Sequence, residues 1–208
     1  VRGLVVARFS GAIVVRGSGC VVAGNVLGLD FAGAVQLNFV AGVWVRGGAG
    51  TMIGGATPAD RNILSGNGGF GVLTELPSSA TTIRGNYIGT DLAGTAARAN
   101  SQSGIRLAST SGDVIGGSEA GARNLISGNG FQGVDLASTS GTRIEGNFIG
   151  TDRSGMAALP NGQNGIGVSG SATGLTIGGT DATARNLISG NSLDGVLVVG
   201  PGPENNRI

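Results

Sequence analysis

Apolar positions along this chain fall in short alternating runs, and the runs recur. TTIRG at 81–85, NYIGTD at 86–91 and GIRL at 104–107 each set inward and outward residues at a period of two, as half-buried strands require. The third run returns at 12–15, 42–45, 71–74, 133–136, 165–168 and 195–198, with a β-branched residue or Leu at nearly every inward slot. One apolar position repeats at Val1, Val22, Ile53, Ile83, Ile115, Ile144, Ile177 and Ile208, so three strands come round about every 30 residues.

Longer phrases interleave over this beat. RNILSGN stands at 61–67 and RNLISGN at 123–129 and 185–191, while GNVLGLD, GNYIGTD and GNFIGTD stand at 24–30, 85–91 and 146–152. The full repeat is therefore about 61 residues, two coils of alternating type. Self-similarity at a fixed period predicts stacked coils, each hydrogen-bonded to the next at ~4.8 Å. The expected fold is an all-β parallel solenoid of about seven coils filling 1–208 as a single domain. Val1 and Ile208 occupy the same place in the coil and leave no cap, so the segment is expected to continue a longer solenoid or to stack end to end.

Polar residues recur in register too. An Asn sits between the first and second strands at Asn25, Asn62, Asn86, Asn124, Asn147 and Asn186. An amide both donates and accepts, so this column predicts an asparagine ladder that satisfies the turn carbonyls buried between coils. A second column, Asp30, Asn67, Asp91, Asn129, Asp152 and Asn191, reads as alternating turn caps rather than a cation site. Long connections alternate as well, at 31–41, 92–103 and 153–164 on one edge and at 56–60, 118–122 and 180–184 on another.

Composition narrows the function. Gly supplies 43 of 208 residues, three times the ~7% average, which marks many tight turns. Only 12% of residues are charged against 40% hydrophobic, so the chain folds rather than remaining disordered. The net charge is +1, every basic residue is Arg, and no basic tract supports a nucleic-acid groove or an anionic-membrane patch. No apolar run approaches the ~18 residues of a membrane span and no signal peptide opens the chain. Cys20 stands alone, excluding an internal disulfide, and reads as a small buried hydrophobe. Neither a metal site nor a cofactor motif is expected.

The run NxIxGN…GIxL with Gly-Asn turns resembles the right-handed parallel β-helix repeats of secreted and surface bacterial proteins, in the broad pectate-lyase-like superfamily. The resemblance spans essentially the whole chain. It implies a right-handed coil and a secreted or cell-surface setting, but such scaffolds carry lyases, hydrolases, tailspikes, adhesins and plain stalks, so it does not choose a function.

In lyases of that superfamily the chemistry usually lies on the outer face of the third strand. Here that outward column reads Val14, Trp44, Leu73, Arg106, Asp135, Gly167 and Leu197, with one acid and one base. Arg106 and Asp135 fall on consecutive coils and are expected to form a structural ion pair, since an Arg keeps its proton far above neutral pH. Trp44 with Arg46 nearby is the best candidate for stacking on a sugar ring, unless the loop 31–41 folds over it. Arg61, Arg123 and Arg185 form a regular column and read as solvated loop-edge residues, neutralised by Asp60 and Asp181. Arg143, Glu145, Asp113, Glu119 and Asp194 are scattered, and Thr90 and Thr151 recur too sparsely for an ice-binding array. The sequence thus leads to a non-catalytic spacer or adhesion module. A polysaccharide-binding or lyase-like face at Trp44, Arg46, Arg106 and Asp135 is the alternative, and a self-stacking filament the third reading.

Overall fold

The computed structural model describes residues 1–200 and 205–208. Its strands form three parallel sheets, one for each segment of the coil, in a solenoid of about six turns rather than seven. The second sheet runs from Val5–Val6 to Leu187–Ile188 and the third from Gly11–Val15 to Val196–Val198, with seven strands each. The first sheet runs from Val21–Val22 to Thr176–Ile177 with six; at either end only isolated bridges, Arg2 to Ala23 and Thr176 to Arg207, continue it. Counting from Val1 to Ile208 overstates the coils because these outermost rungs are incomplete.

The apolar columns are in the expected register. Val22, Ile53, Ile83, Ile115, Ile144 and Ile177 pair in turn across the first sheet, and most are wholly excluded from solvent. Ile and Val from the third sheet and Leu and Ile from the second meet them in one continuous core. Parallel strands of two to five residues suffice in most rungs because each is bonded on both edges by its neighbours.

Two asparagine ladders pin the corners. In the first, each carboxamide from Asn25 to Asn147 donates to the next coil's Asn oxygen at 2.9–3.1 Å. From Asn62 onward the same NH₂ group also reaches a carbonyl of the previous coil, as Asn86 does to Ile53 at 2.9 Å. The second ladder differs from the expected column. Asn67, Asn129 and Asn191 alternate not with aspartates but with Asn38, Asn100 and Asn161, at 2.8–2.9 Å. In the long-loop coils the chain leaves the second strand, makes a hairpin-like excursion and re-enters the ladder eight or nine residues later. Glycine is required just before the turn: at Gly89 (φ 90°) a Cβ would strike the next coil's Asn129 carboxamide and Ser127 carbonyl.

Asp30, Asp91 and Asp152 instead cap the excursions from inside. Asp91 accepts the Thr95 and Ala96 amides at 2.8 and 3.2 Å, and Asp152 accepts the Ser154 hydroxyl at 2.6 Å. Each excursion is closed by an antiparallel bridge, Leu29 to Val35, Thr90 to Ala97 and Thr151 to Ala158. Thr90 and Thr151 are buried there, each hydroxyl donating to the following carbonyl.

Candidate functional site

The outward column of the third sheet is as read from sequence. Val14, Trp44, Leu73, Arg106, Asp135, Gly167 and Leu197 lie opposite one another, rung by rung. Period-two alternation puts these side chains outside because Val43, Val45, Ile105 and Leu107 on either side are held in the core.

The four candidate residues form two pairs rather than one cluster. Arg106 Nη1 donates to Asp135 Oδ2 across adjacent rungs, with Arg106 about a third exposed and Asp135 largely covered. This is the expected ion pair. Arg46 lies over the Trp44 ring, 4.5 Å from its centroid, and its Nε stands 3.4 Å from Glu75 Oε1 on the next rung. Leu73, 6% exposed, separates the pairs. Trp44 and Arg106 are therefore two rungs apart, roughly 9.6 Å along the axis.

Trp44 is half-buried. Arg46 occupies one side, and the ring's Cε3 and Cβ lie close to Gly11 beside Val14. Its indole Nε1 is out of solvent and has no hydrogen-bond partner. Two contributors were not legible as site residues. Glu75 follows from the rung register of Arg46, a signal present in the sequence. Gln132 lays its carboxamide in the space that Gly167 leaves beside Asp135, and only that missing side chain hints at it. The face can offer the open edge of the Arg106 guanidinium to an anion or hydroxyl, but it holds that guanidinium in an ion pair, which makes it a donor and not a base.

Other charged groups are committed locally. Arg143 pairs with Glu145 along one strand, and Arg84 Nη1 meets Glu119 at 3.2 Å. Asp60 pairs with Arg2 at 2.6 Å and takes a bond from the Thr57 hydroxyl at 2.7 Å, not with Arg61. Arg61 and Arg123 are not merely solvated. Each lies over an aromatic ring of the next coil, Tyr87 at 4.2 Å and Phe148 at 4.1 Å, and donates to a carbonyl there, Gly85 or Gly146. Arg185 remains exposed. Cys20 is half-exposed at a turn, packed only partly against the core.

The aspartate caps are held ionised. The Ala34 amide leads in lowering Asp30; burial works against it, and the Ala32 amide, the Gln36 side chain and the Gly33 amide add to the lowering. Burial pushes Asp91 up, but the Thr95 and Ala96 amides and the Thr95 hydroxyl outweigh it and leave it lowered. The Ser154 hydroxyl leads in lowering Asp152. Asp113 is the opposite case. It is wholly excluded from solvent, and burial raises its carboxyl although the Thr110 and Thr81 hydroxyls and the Thr81 amide act the other way. Those hydroxyls lie close to the carboxylate without well-aligned hydrogen bonds, and Asp113 Oδ2 has no partner.

No helix among the described residues is long and apolar enough to cross a membrane. Compared with protein-family models, with curated proteins and with solved structures, the chain matches none.

Proposed function

We propose that this chain is a non-catalytic structural module, a rigid spacer or adhesion segment of a secreted or cell-surface bacterial protein. The observation that carries the reading is the pair of unbroken asparagine ladders, which spend the repeat's conspicuous polar residues on joining coil to coil. A structure so uniform along its axis suits holding two things apart. The setting follows from the β-helix resemblance rather than from any residue. Small-angle scattering from the isolated chain should give a monodisperse rod roughly 30 Å long, about six turns at ~4.8 Å. Turnover of an acidic polysaccharide by that chain would defeat the proposal.

A second reading has its own observation, the two Arg-centred pairs sharing one outer face. On it, Arg106 and the Trp44–Arg46 stack bind a polysaccharide, with Leu73 between them. Binding on a glycan panel that Trp44→Ala weakens roughly tenfold would favour this reading, since an aromatic or Arg anchor contributes about 1–2 kcal/mol. A signal indifferent to that substitution would remove it. A second copy stacked end to end is the remaining partner, favoured by the single polarity of both ladders; growth of light scattering with concentration would reveal it.

A further inference from the structure

The two ladders differ in the residue that follows each asparagine. Asn25, Asn62, Asn86, Asn124, Asn147 and Asn186 of the first precede Val, Ile, Tyr, Leu, Phe and Leu. In the second, Asn67, Asn129 and Asn161 precede Gly68, Gly130 and Gly162, and Asn100 and Asn191 precede serines. Asparagine before glycine is the pair most prone to lose its amide, because without a Cβ the next residue's nitrogen can reach the carboxamide carbon. The fold itself demands these glycines. A Cβ at Gly130 would come within 2.6 Å of the Ser101 carbonyl, and one at Gly162 would strike the Gly130 carbonyl. The bulky followers that shield the first ladder therefore cannot stand at this corner.

The folded ladder blocks the reaction at both atoms. Asn67, Asn129 and Asn161 are at most 2% exposed. Their NH₂ groups, which would have to leave, donate to the next ladder oxygen at 2.8–2.9 Å and to a core carbonyl, of Leu27, Ile88 or Ile126, at 3.0–3.2 Å. The attacking nitrogens are committed too, Gly68 N donating to Asn38 O at 2.7 Å, and Gly130 N to Asn100 O and Gly162 N to Asn129 O at 2.8 Å. A fourth such pair, Asn164 and Gly165, stands outside both ladders. There the Asn164 oxygen accepts the Asp194 amide at 3.0 Å.

We propose that the second ladder is a set of latent deamidation sites that makes the opening of a rung irreversible. When a rung parts, Gly68 N gives its proton to solvent base and attacks Asn67 Cγ; the N–Cγ bond forms, the Cγ–Nδ2 bond breaks and Nδ2 leaves as ammonia. Water then opens the cyclic imide at either carbonyl, leaving aspartate or, with an extra methylene in the backbone, isoaspartate. Water is the only co-reactant, and no electrons are transferred. An aspartate at position 67 has no hydrogen to offer Leu27 O and sets a carboxylate against the Asn100 oxygen that the amide once bonded. The rung then cannot close as before, and the same holds at Asn129 and Asn161. The inference stands apart from the spacer role and from the outer face of the third sheet, either of which can fail without it.

The test incubates the whole 208-residue chain in mildly alkaline buffer, native and in denaturant, and locates converted asparagines by peptide mapping with mass spectrometry. In denaturant, Asn67, Asn129, Asn161 and Asn164 should convert well ahead of every asparagine of the first ladder. In the native chain the three ladder sites should convert at least about a hundredfold more slowly, at a rate set by the population of opened rungs. Chain aged in denaturant and returned to buffer should regain native circular dichroism only in the fraction unconverted at Asn67, Asn129 and Asn161, conversion at Asn164 alone being harmless. Asn67→Asp should lower the melting temperature by roughly 5–10 °C or prevent folding, whereas Asn164→Asp should melt within about 2 °C of the parent, since a carboxylate still accepts the Asp194 amide. Gly68→Ala, whose Cβ would meet nothing closer than the Phe39 carbonyl at 3.2 Å, should fold and slow conversion at Asn67 alone. Equal rates in the native and denatured chain overturn the proposal. So do conversion in denaturant spread evenly over both ladders, and full refolding of chains converted at the second ladder.

Discussion

Asn86 shows how much one side chain does in this fold. Its carboxamide oxygen takes the Asn62 amide and side chain at 3.2 and 2.9 Å, and its NH₂ group serves Asn124 and the carbonyls of Ile53 and Arg84. Asn86→Ala leaves several of these groups buried and unpaired, and should cost about 3 kcal/mol in chemical denaturation. Asp113 supplies the pH dependence. Its raised carboxyl means that, above the unfolded value of 3.8, the folded chain keeps a proton that the unfolded chain has lost. Its contribution is therefore full at low pH and falls as pH rises from about 4 through the raised folded value. Asp30, Asp91 and Asp152 act with the opposite sign, their contribution being lost as pH falls below the ordinary range. Asp113→Asn should raise the neutral-pH melting temperature and leave only the acid-side loss; a variant less stable than the parent at pH 7 would contradict this. The first ladder was legible because each of its asparagines keeps one distance from a strand. The second was not, since Asn38, Asn100 and Asn161 are delivered by excursions that break the spacing.

At the scale of the element, the excursions do more than connect. The outward column of the second sheet, Val26, Ile63, Tyr87, Leu125, Phe148 and Leu187, is apolar and would be a surface stripe on a bare coil. The excursion at 91–97 folds back over it. A Cβ on Gly94 (φ 71°) would come within 2.8 Å of the Tyr87 ring and 2.9 Å of Leu125. Arg61 also lies over that ring. Successive excursions also touch, Arg153 N donating to Gly94 O at 2.9 Å and Arg98 Nε to Gly33 O at 3.3 Å. The segment is thus a covering layer pinned by one aspartate. Asp91→Ala should release it, with a loss of roughly 1 kcal/mol and faster proteolytic cleavage near 92–97 than in the parent. Tyr87→Ala should lower stability by about 3 kcal/mol by opening a cavity under the same layer. Strands and their inward faces were readable because period two is a local pattern. The covering layer and the Arg-aromatic stacks join residues on different coils, and nothing in a short window announces them.

Across the whole molecule, stability is a sum over neighbouring rungs, and each rung sees only the two beside it. The coils are not equivalent, however, because excursions hang from alternate ones and Arg61 and Arg123 reach from one type of coil to an aromatic ring on the other. Length is consequently quantised in pairs. Excising Tyr87–Asn147, one full repeat, joins Asn86 to Phe148 and keeps the alternation of coil types, with Phe148 taking the place of Tyr87 beside Ile63 and under Arg61. That shortened chain should fold with one cooperative transition and unchanged rung packing. Excising 87–124 instead sets two coils of the same type together, strips the covering from Leu125 and strands Arg61 without its ring. It should aggregate or melt well below the parent, measured by light scattering and circular dichroism. A ruler of this construction can be cut or extended only at every second mark.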